Sequence, residues 1–355
     1  MQKSVFALAT LAALATSASA QSSVTIYGSV DLAVTKGNGG TAANAGANGT
    51  KTAWIEKQSS SSRLGFRGNE DIGGGLSAQF QIEHRFTPDD GCSGSCVAAN
   101  PFWFGRSYVQ LSSETLGRVY LGRDYTPAFF VEVKLDPFGN DGVGQFGADI
   151  SWAGYLTPTN AGGTVIASGA RTSNTVGYKM PTLRGFDSTL AVALGEGVVP
   201  RDTGFNVQYA SGPIYAGFAY EKLSGNSSAT GGGNSLWNLG ATYDFGFVKP
   251  GLYYASAKVN GGTLGNKVFE LTASAPIGAG VLKAAYGRET RGAVAPAVLG
   301  NISKFALGYN YFLSKRTNVY ADASLGRQGD SVSATGVVTS FTNNTAYAIG
   351  LKHTF

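Results

Sequence analysis

The residues of this 355-residue chain best equipped to do physical work are charged side chains set among glycine and aromatic residues. Arg63 stands opposite in phase to Leu64 and Phe66, Arg106 opposite to Val109 and Leu111, and Arg171 opposite to Val176 and Tyr178. Glu83 and Arg85 share one phase, two residues apart. On extended strands with two-residue alternation, all five would leave the apolar face and point the other way. A long glycine-rich stretch over residues 125–169 adds Glu132, Asp136, Asp141 and Asp149, with Lys134 as a possible partner. Opposite charges facing each other across narrow water set a transverse field, and the sign in excess biases which ion passes. For any single residue the plainer alternative is a solvated polar side chain.

Other chemistries find less to use. His84 and His353 are the only histidines, and neither lies at a spacing that suggests a serine and acid partner, so a catalytic triad has no support. His353 shares the apolar face of the last strand and reads as an interfacial residue. The run Gly142 to Gly147 fits G-x-G-x-x-G, but that fingerprint needs a preceding strand and a following helix, and here it sits in a loop. Cys92 and Cys96 could bind a metal with His84; in an exported chain a local disulfide that stiffens a loop tip is the favoured reading. No metal, no cofactor and no enzymatic step is expected.

The elements that must hold these charges are strands. Fifty-one glycines (51) argue against a helical protein, and 14% charged residues with a mean hydropathy of −0.02 fit neither a disordered chain nor a helical membrane protein. Residues 1–20 have a positive start, an apolar run from Val5 to Ala15 and the small-residue site Ala18-Ser19-Ala20, which predicts a cleaved secretory signal peptide followed by a mature domain over 21–355. The net charge of +5 is spread along the chain, which argues against nucleic-acid binding.

From Val24 onward, stretches of about ten residues alternate apolar or aromatic side chains with glycine, serine, threonine or a charge. Tyr347, Ile349, Leu351, His353 and Phe355 share one face of the last stretch; Trp237, Leu239, Ala241, Tyr243 and Phe245 share one face of another. Tyr178, Phe186, Tyr209, Tyr215, Trp237, Phe247, Tyr309 and Tyr347 are expected outward, at the membrane interfaces. Short connections alternate with long ones centred on 37–56, 87–103, 125–169, 196–203, 224–234, 259–265, 289–301 and 328–343. That alternation predicts sixteen antiparallel strands with both chain ends on the short-turn side. In hydrocarbon every backbone group must be paired, which a closed sheet achieves, so the pattern implies an all-β transmembrane barrel in the outer membrane. The alternative is a soluble antiparallel sheet with one buried face.

Several stretches carry a family likeness. Ser23 to Gly28, Ser62-Arg63-Leu64-Gly65-Phe66-Arg67-Gly68 with Glu70-Asp71, Tyr120-Leu121-Gly122-Arg123, Ala241 to Gly246, Leu313 to Thr317 and the terminal Phe355 resemble the trimeric general porins of Gram-negative, beta-proteobacterial outer membranes. The resemblance implies a sixteen-stranded barrel, a homotrimer among outer-membrane lipid and lipopolysaccharide, and a third long loop folded into the lumen. It implies a constriction in which wall arginines face acids on that loop, with Arg63, Glu83 and Arg171 at matching positions. Arg106 stands one residue beyond the family's arginine position, which here is Gly105. Phe355 resembles the signal read by the barrel assembly machinery. The function implied is passive diffusion of ions and small hydrophilic solutes, with weak anion preference. The alternatives are a porin selective for one organic or inorganic anion, and a barrel acting mainly as adhesin or surface receptor.

Overall fold

The computed structural model describes residues 23–37, 54–92, 102–146, 170–196, 201–224, 234–259, 264–292, 300–329, 331–332, 338–339 and 344–355. The barrel begins with β1 (Ser23–Lys36) and β2, which comes in two segments, Trp54–Lys57 and Ser62–Gly73, both laid along the same edge of β1. Then follow β3 (Leu76–Phe86), β4 (Ser107–Ser113), β5 (Gly117–Tyr125), helix α1 (Pro127–Glu132), β6 (Arg171–Lys179), β7 (Phe186–Ala193) and β8 (Arg201–Ser211). The second half is β9 (Ile214–Ser224), β10 (Ser235–Tyr243), β11 (Lys249–Val259), β12 (Leu264–Ile277), β13 (Gly280–Thr290), β14 (Ile302–Phe312), β15 (Thr317–Gln328) and β16 (Asn344–Thr354). Each strand pairs antiparallel with its neighbours, and β16 returns to β1 from Ser29↔Thr354 to Lys36↔Tyr347. Sixteen strands therefore close into one barrel with no free edge, as the connection lengths predicted.

The seam is fastened at its short-turn end. Gly28 and Phe355 exchange both backbone hydrogen bonds, at 3.0 and 3.1 Å, and the Phe355 ring lies where a Cβ on residue 28 would have to be. Glycine at 28 is thus what lets the last side chain fold over the first strand.

Alternation decides which face is wet. In β16 the exposed residues are Tyr347, Ile349, Leu351 and His353, while Ala346 and Ala348 are buried on the inside. In β10, Leu239 and Tyr243 are exposed outward and Leu236 and Asn238 are buried inward. His353 sits on the outer face, its ring nitrogen Nδ1 2.9 Å from the Thr317 hydroxyl. One expected girdle residue is on the other side: Tyr215 points inward, where its hydroxyl donates to Gln208 at 2.9 Å. The outward residues of β9 are Ile214 and Phe218, so strict alternation puts Tyr215 on the wet face, and aromatic type alone misplaces it.

The third long connection leaves the wall at Thr126, and its described part, residues 126–146, lies inside the barrel. Thr126 caps α1, its hydroxyl accepting from the Phe129 backbone N–H at 3.3 Å, and Pro127 opens the first turn. Glycines on the inward face of the wall receive the loop's apolar side chains: Val131 over Gly217, Leu135 over Gly240, Phe146 over Gly287 and Phe138 over Gly308. At each of these a Cβ would stand within 3 Å of the loop side chain, closer than atoms can approach without something moving. Farther along, Val143 packs among Ala33, Tyr320, Ala346 and Ala348 near the seam. Burying such a side chain is worth about 1.5–3 kcal/mol relative to water, enough to hold a loop that leaves the wall at only one point before α1.

Candidate functional site: a basic wall facing an inward loop

The inner wall of β2 to β6 carries a ladder of cations interleaved with two buried acids. On β3, Glu83 is almost wholly buried between two arginines: Arg85 Nη2 at 2.6 Å and Arg63 Nη1 at 3.9 Å. The Tyr27 hydroxyl donates to Glu83 Oε2 at 3.2 Å, and the Tyr27 ring lies flat over Gly65, where a larger residue would collide with it. Arg63 also donates to the Ser29 hydroxyl, and Arg85 to the Ser61 carbonyl.

The second acid is Asp124. Arg106 grips it through two parallel hydrogen bonds, Nε to Oδ1 at 2.6 Å and Nη2 to Oδ2 at 3.0 Å, and Lys179 adds a third at 2.8 Å. Bidentate contact of this kind fixes the guanidinium plane as well as its distance. Tyr125, the last residue of β5, joins the halves of the ladder. Its hydroxyl accepts from Arg85 at 3.1 Å and from Arg171 at 2.7 Å, and the Arg171 guanidinium lies 4.3 Å from its ring centroid. Two arginines converging on one phenol oxygen are tolerated because the ring's electron-rich face and hydroxyl lone pairs both meet positive charge.

The five charged residues predicted on the wall are therefore brought together, though Arg171 arrives by another route than alternation. Asn174 adopts a left-handed φ of 56°, and the register with β5 skips a residue between Thr175 and Thr172. Counting by twos through that bulge is not valid. What draws Arg171 to the ladder is Tyr125, at the point where the chain leaves the wall to begin the loop.

The acids nominated on the loop divide. Glu132 and Asp136 do not face water. Glu132 accepts from the Asn140 amide at 2.6 Å, and Asp136 receives the backbone N–H groups of Phe138, Asn140 and Phe146 at 2.8–3.0 Å. Asp136 is the clasp that shapes the loop, an Asx-type use of a carboxylate. Burial raises the Glu132 carboxyl well above its ordinary value, and the charges of Asp136 and Glu270 push the same way. Burial also raises Asp136, against the lowering by its three backbone donors. Asp141 keeps about a third of its side chain exposed and pairs with Lys352 of β16 at 3.9 Å. Lys134 is exposed, its ammonium 5.1 Å from the Tyr215 ring. Asp149 and Cys96 lie outside the described residues; Cys92 is disulfide-bonded. His84, the suggested third ligand, instead stacks on Phe102 with ring centroids 4.0 Å apart. Gly142 opens a turn with φ +68°, part of the loop packing rather than the start of a helix.

A family model described as Gram-negative porin matches residues 7–331. The chain belongs to the Gram-negative porin family. Outer membrane porin protein 32 of Delftia acidovorans is 34% identical over 377 residues, an alignment spanning 100% of both chains. Among solved structures, an anion-selective porin from Comamonas acidovorans has a TM-score of 0.76 at 29% identity, covering 94% of this chain and 100% of that one. OmpT of Vibrio cholerae in its trimer form has a TM-score of 0.65 at 14% identity, covers 94% of this chain and 99% of its own, and speaks to the fold alone.

This porin is an outer-membrane channel, and its short turns face the periplasm as the long loops face outward. The residues that sequence reasoning passed over are Asp124, Lys179 and Tyr125. Alternation from the outward Tyr178 would have put Lys179 inside, and Arg118, Tyr120, Gly122 and Asp124 share one phase. The wall glycines beneath the loop carried a signal as well, but one that reads as mere absence of a side chain until the loop is seen lying on them.

Proposed function

We propose that this channel passes ions and small hydrophilic solutes down their gradients with a weak preference for anions, set where the basic wall faces the third loop. The observation that carries this reading is charge imbalance: Arg63, Arg85, Arg106, Arg171 and Lys179 outnumber the three buried acids on the inner wall of β1 to β6, Asp31, Glu83 and Asp124. Glu132 and Asp136 are buried within the loop, which leaves Asp141 as the acid toward the water among the described ones nominated there. Excess fixed positive charge raises the local concentration of anions in a narrow lumen. No covalent step and no cofactor enters.

The working unit is a homotrimer. In support, the outward residues of β16 and β1 to β5 are mainly aliphatic (Val24, Ile26, Val109, Leu111, Leu121, Ile349), whereas the aromatic residues concentrate on β6 to β15. A sector whose exposed strand aromatics are few, Trp54, Phe80 and Tyr347 among the described residues, suits contact with another copy better than contact with lipid headgroups. The remaining sector meets lipid and lipopolysaccharide. Residues 1–20 are removed as a signal peptide, the Cys92–Cys96 bridge stiffens its loop, and Phe355 is presented to the barrel assembly machinery before it folds over Gly28.

The test is a planar bilayer under a salt gradient, comparing the wild type with Arg63→Glu and Arg171→Glu. An anion-biased reversal potential in the wild type that moves toward cations in both variants supports the reading. Channels indifferent to both substitutions discard the constriction assignment.

A further inference from the structure

Below the ladder, toward the periplasmic mouth, the same wall borders a half-open cavity of about 310 Å³ lined in part by Arg67, Gln79, Tyr108, Gln110 and Arg118. Its layout follows strand order. Arg67 lies on β2, Gln79 on β3, Gln110 on β4 and Arg118 on β5, so that two amides stand between two guanidiniums across four adjacent strands. Strands lie about 4.8 Å apart, so β2 and β5 are separated by about 14 Å, and the register sets Arg118 four residues, about 13 Å, along β5 from Gly122, the residue in line with Arg67. The two backbones are therefore about 19 Å apart on a diagonal that passes over Gln79 and Gln110, a gap that two arginine side chains reaching toward each other narrow to the length of a six-carbon chain.

The charges here differ from those above. Arg63, Arg85, Arg106 and Lys179 all have an acid in contact, whereas among the described residues neither Arg67 nor Arg118 has an ion-pair partner. Arg67 only overhangs the Tyr27 ring, at 5.5 Å from its centroid. Between them the amides form a fixed rail: Gln110 donates to Gln79, and Gln79 donates to the Ser77 hydroxyl at 3.2 Å. Tyr108, which also lines the cavity, donates to Gln81 at 3.0 Å. Each side-chain amide has two N–H donors and a carbonyl, so the rail retains capacity on both sides of the hydrogen-bond exchange.

We propose that this cavity is a subsite for polyhydroxylated dicarboxylates, the sugar diacids, one carboxylate on Arg67, the other on Arg118, and the hydroxyls of the chain along Gln79, Gln110 and Tyr108. This rests on the anion-biased reading above and names a substrate class for it. Guanidinium forks match carboxylates, and hydroxyls both donate and accept, as amides require. A cavity of this volume admits a six-carbon diacid, near the lower end of the usual range for small-molecule sites. The subsite lies on the periplasmic side, so a diacid drawn past the ladder finds a second station before release.

Glucarate added to the periplasmic side of single channels in a planar bilayer tests this, with adipate (same length and charge, no hydroxyls) and gluconate (hydroxyls, one carboxylate) as comparisons. Glucarate is expected to interrupt the current at concentrations at least about tenfold lower than either, the effect of losing one charge-assisted contact or the hydroxyl rail. Arg67→Gln and Arg118→Gln should each weaken the glucarate block about tenfold. Gln110→Ala should bring glucarate down to the level of adipate, and open-channel conductance in potassium chloride shows that each variant is folded. If glucarate blocks no better than adipate in an anion-biased channel, the subsite is wrong and the channel reading stands. A cation-biased reversal potential overturns the channel reading itself. Block that survives both arginine substitutions places the diacid elsewhere and overturns the assignment.

Discussion

At the scale of single residues, the wall shows how a pore keeps charges without leaving them adrift in low dielectric. Asp124 is buried, yet three hydrogen bonds from Arg106 and Lys179 surround it. Removing one member of such a buried group leaves the others uncompensated, and that typically costs more than the pair gains. Asp124→Asn is expected to lower stability by about 3 kcal/mol in urea unfolding of the reconstituted barrel. The same variant should move the reversal potential further toward anions, because two cations lose their neutralising charge. A variant with unchanged selectivity would mean that Arg106 and Lys179 do not reach the ion path. Alternation made most of these residues legible: Arg63, Glu83 and Arg85 are where counting by twos put them. Arg171 was placed rightly by a count that the Asn174 bulge invalidates, since local backbone irregularity leaves no mark in residue type.

At the scale of elements, the third loop is held by shape and by protonation. Its seats are wall glycines, so adding a side chain at a seat should eject the loop. Gly287→Leu, which puts carbon where the Phe146 ring lies, is expected to leave the barrel closed but raise conductance and current noise. Unchanged conductance would show that the loop does not limit the pore. Protonation adds a pH dependence whose sign is fixed. Glu132 holds its proton more tightly when the loop is docked than when water surrounds it, and Asp136 shifts the same way. Docking therefore binds protons; it is fully favoured below the ordinary carboxylate range and weakens as pH rises through the raised Glu132 value. As pH rises above the ordinary carboxylate range, loop-dependent noise should grow, and Glu132→Gln, which cannot ionise, should flatten that growth. Noise that falls as pH rises would overturn the argument.

At the scale of the whole molecule, the outer surface divides into an aliphatic sector and an aromatic belt. A cation placed on the former should break the contact between copies. Val109→Arg is expected to abolish a detergent-resistant band at three times the monomer mass, while Phe305→Arg on β14 leaves that band in place. Either substitution costs about 2–4 kcal/mol if it lies at the bilayer midplane, so the oligomeric band, and not stability, is the discriminating readout. Loss of the band in both variants, or in neither, would remove the aliphatic sector as the contact.

The sequence by itself determined the closed barrel. Alternating faces, alternating connection lengths and an even strand number are local or additive properties, and each residue carries its share of them whatever its distant neighbours do. It also determined which charges point to the inside of the barrel on most strands. The tertiary structure decided which of those charges meet. Glu132 and Asp136 look like pore acids in the chain, and became buried ties because the loop that bears them folds onto glycine seats on the far wall. Arg67 and Arg118 lie 51 positions apart in sequence and came to line one cavity because four strands set them side by side. Contacts between residues far apart in sequence depend on how the sheet curls and where the loop crosses it, and no residue type or spacing encodes that on its own.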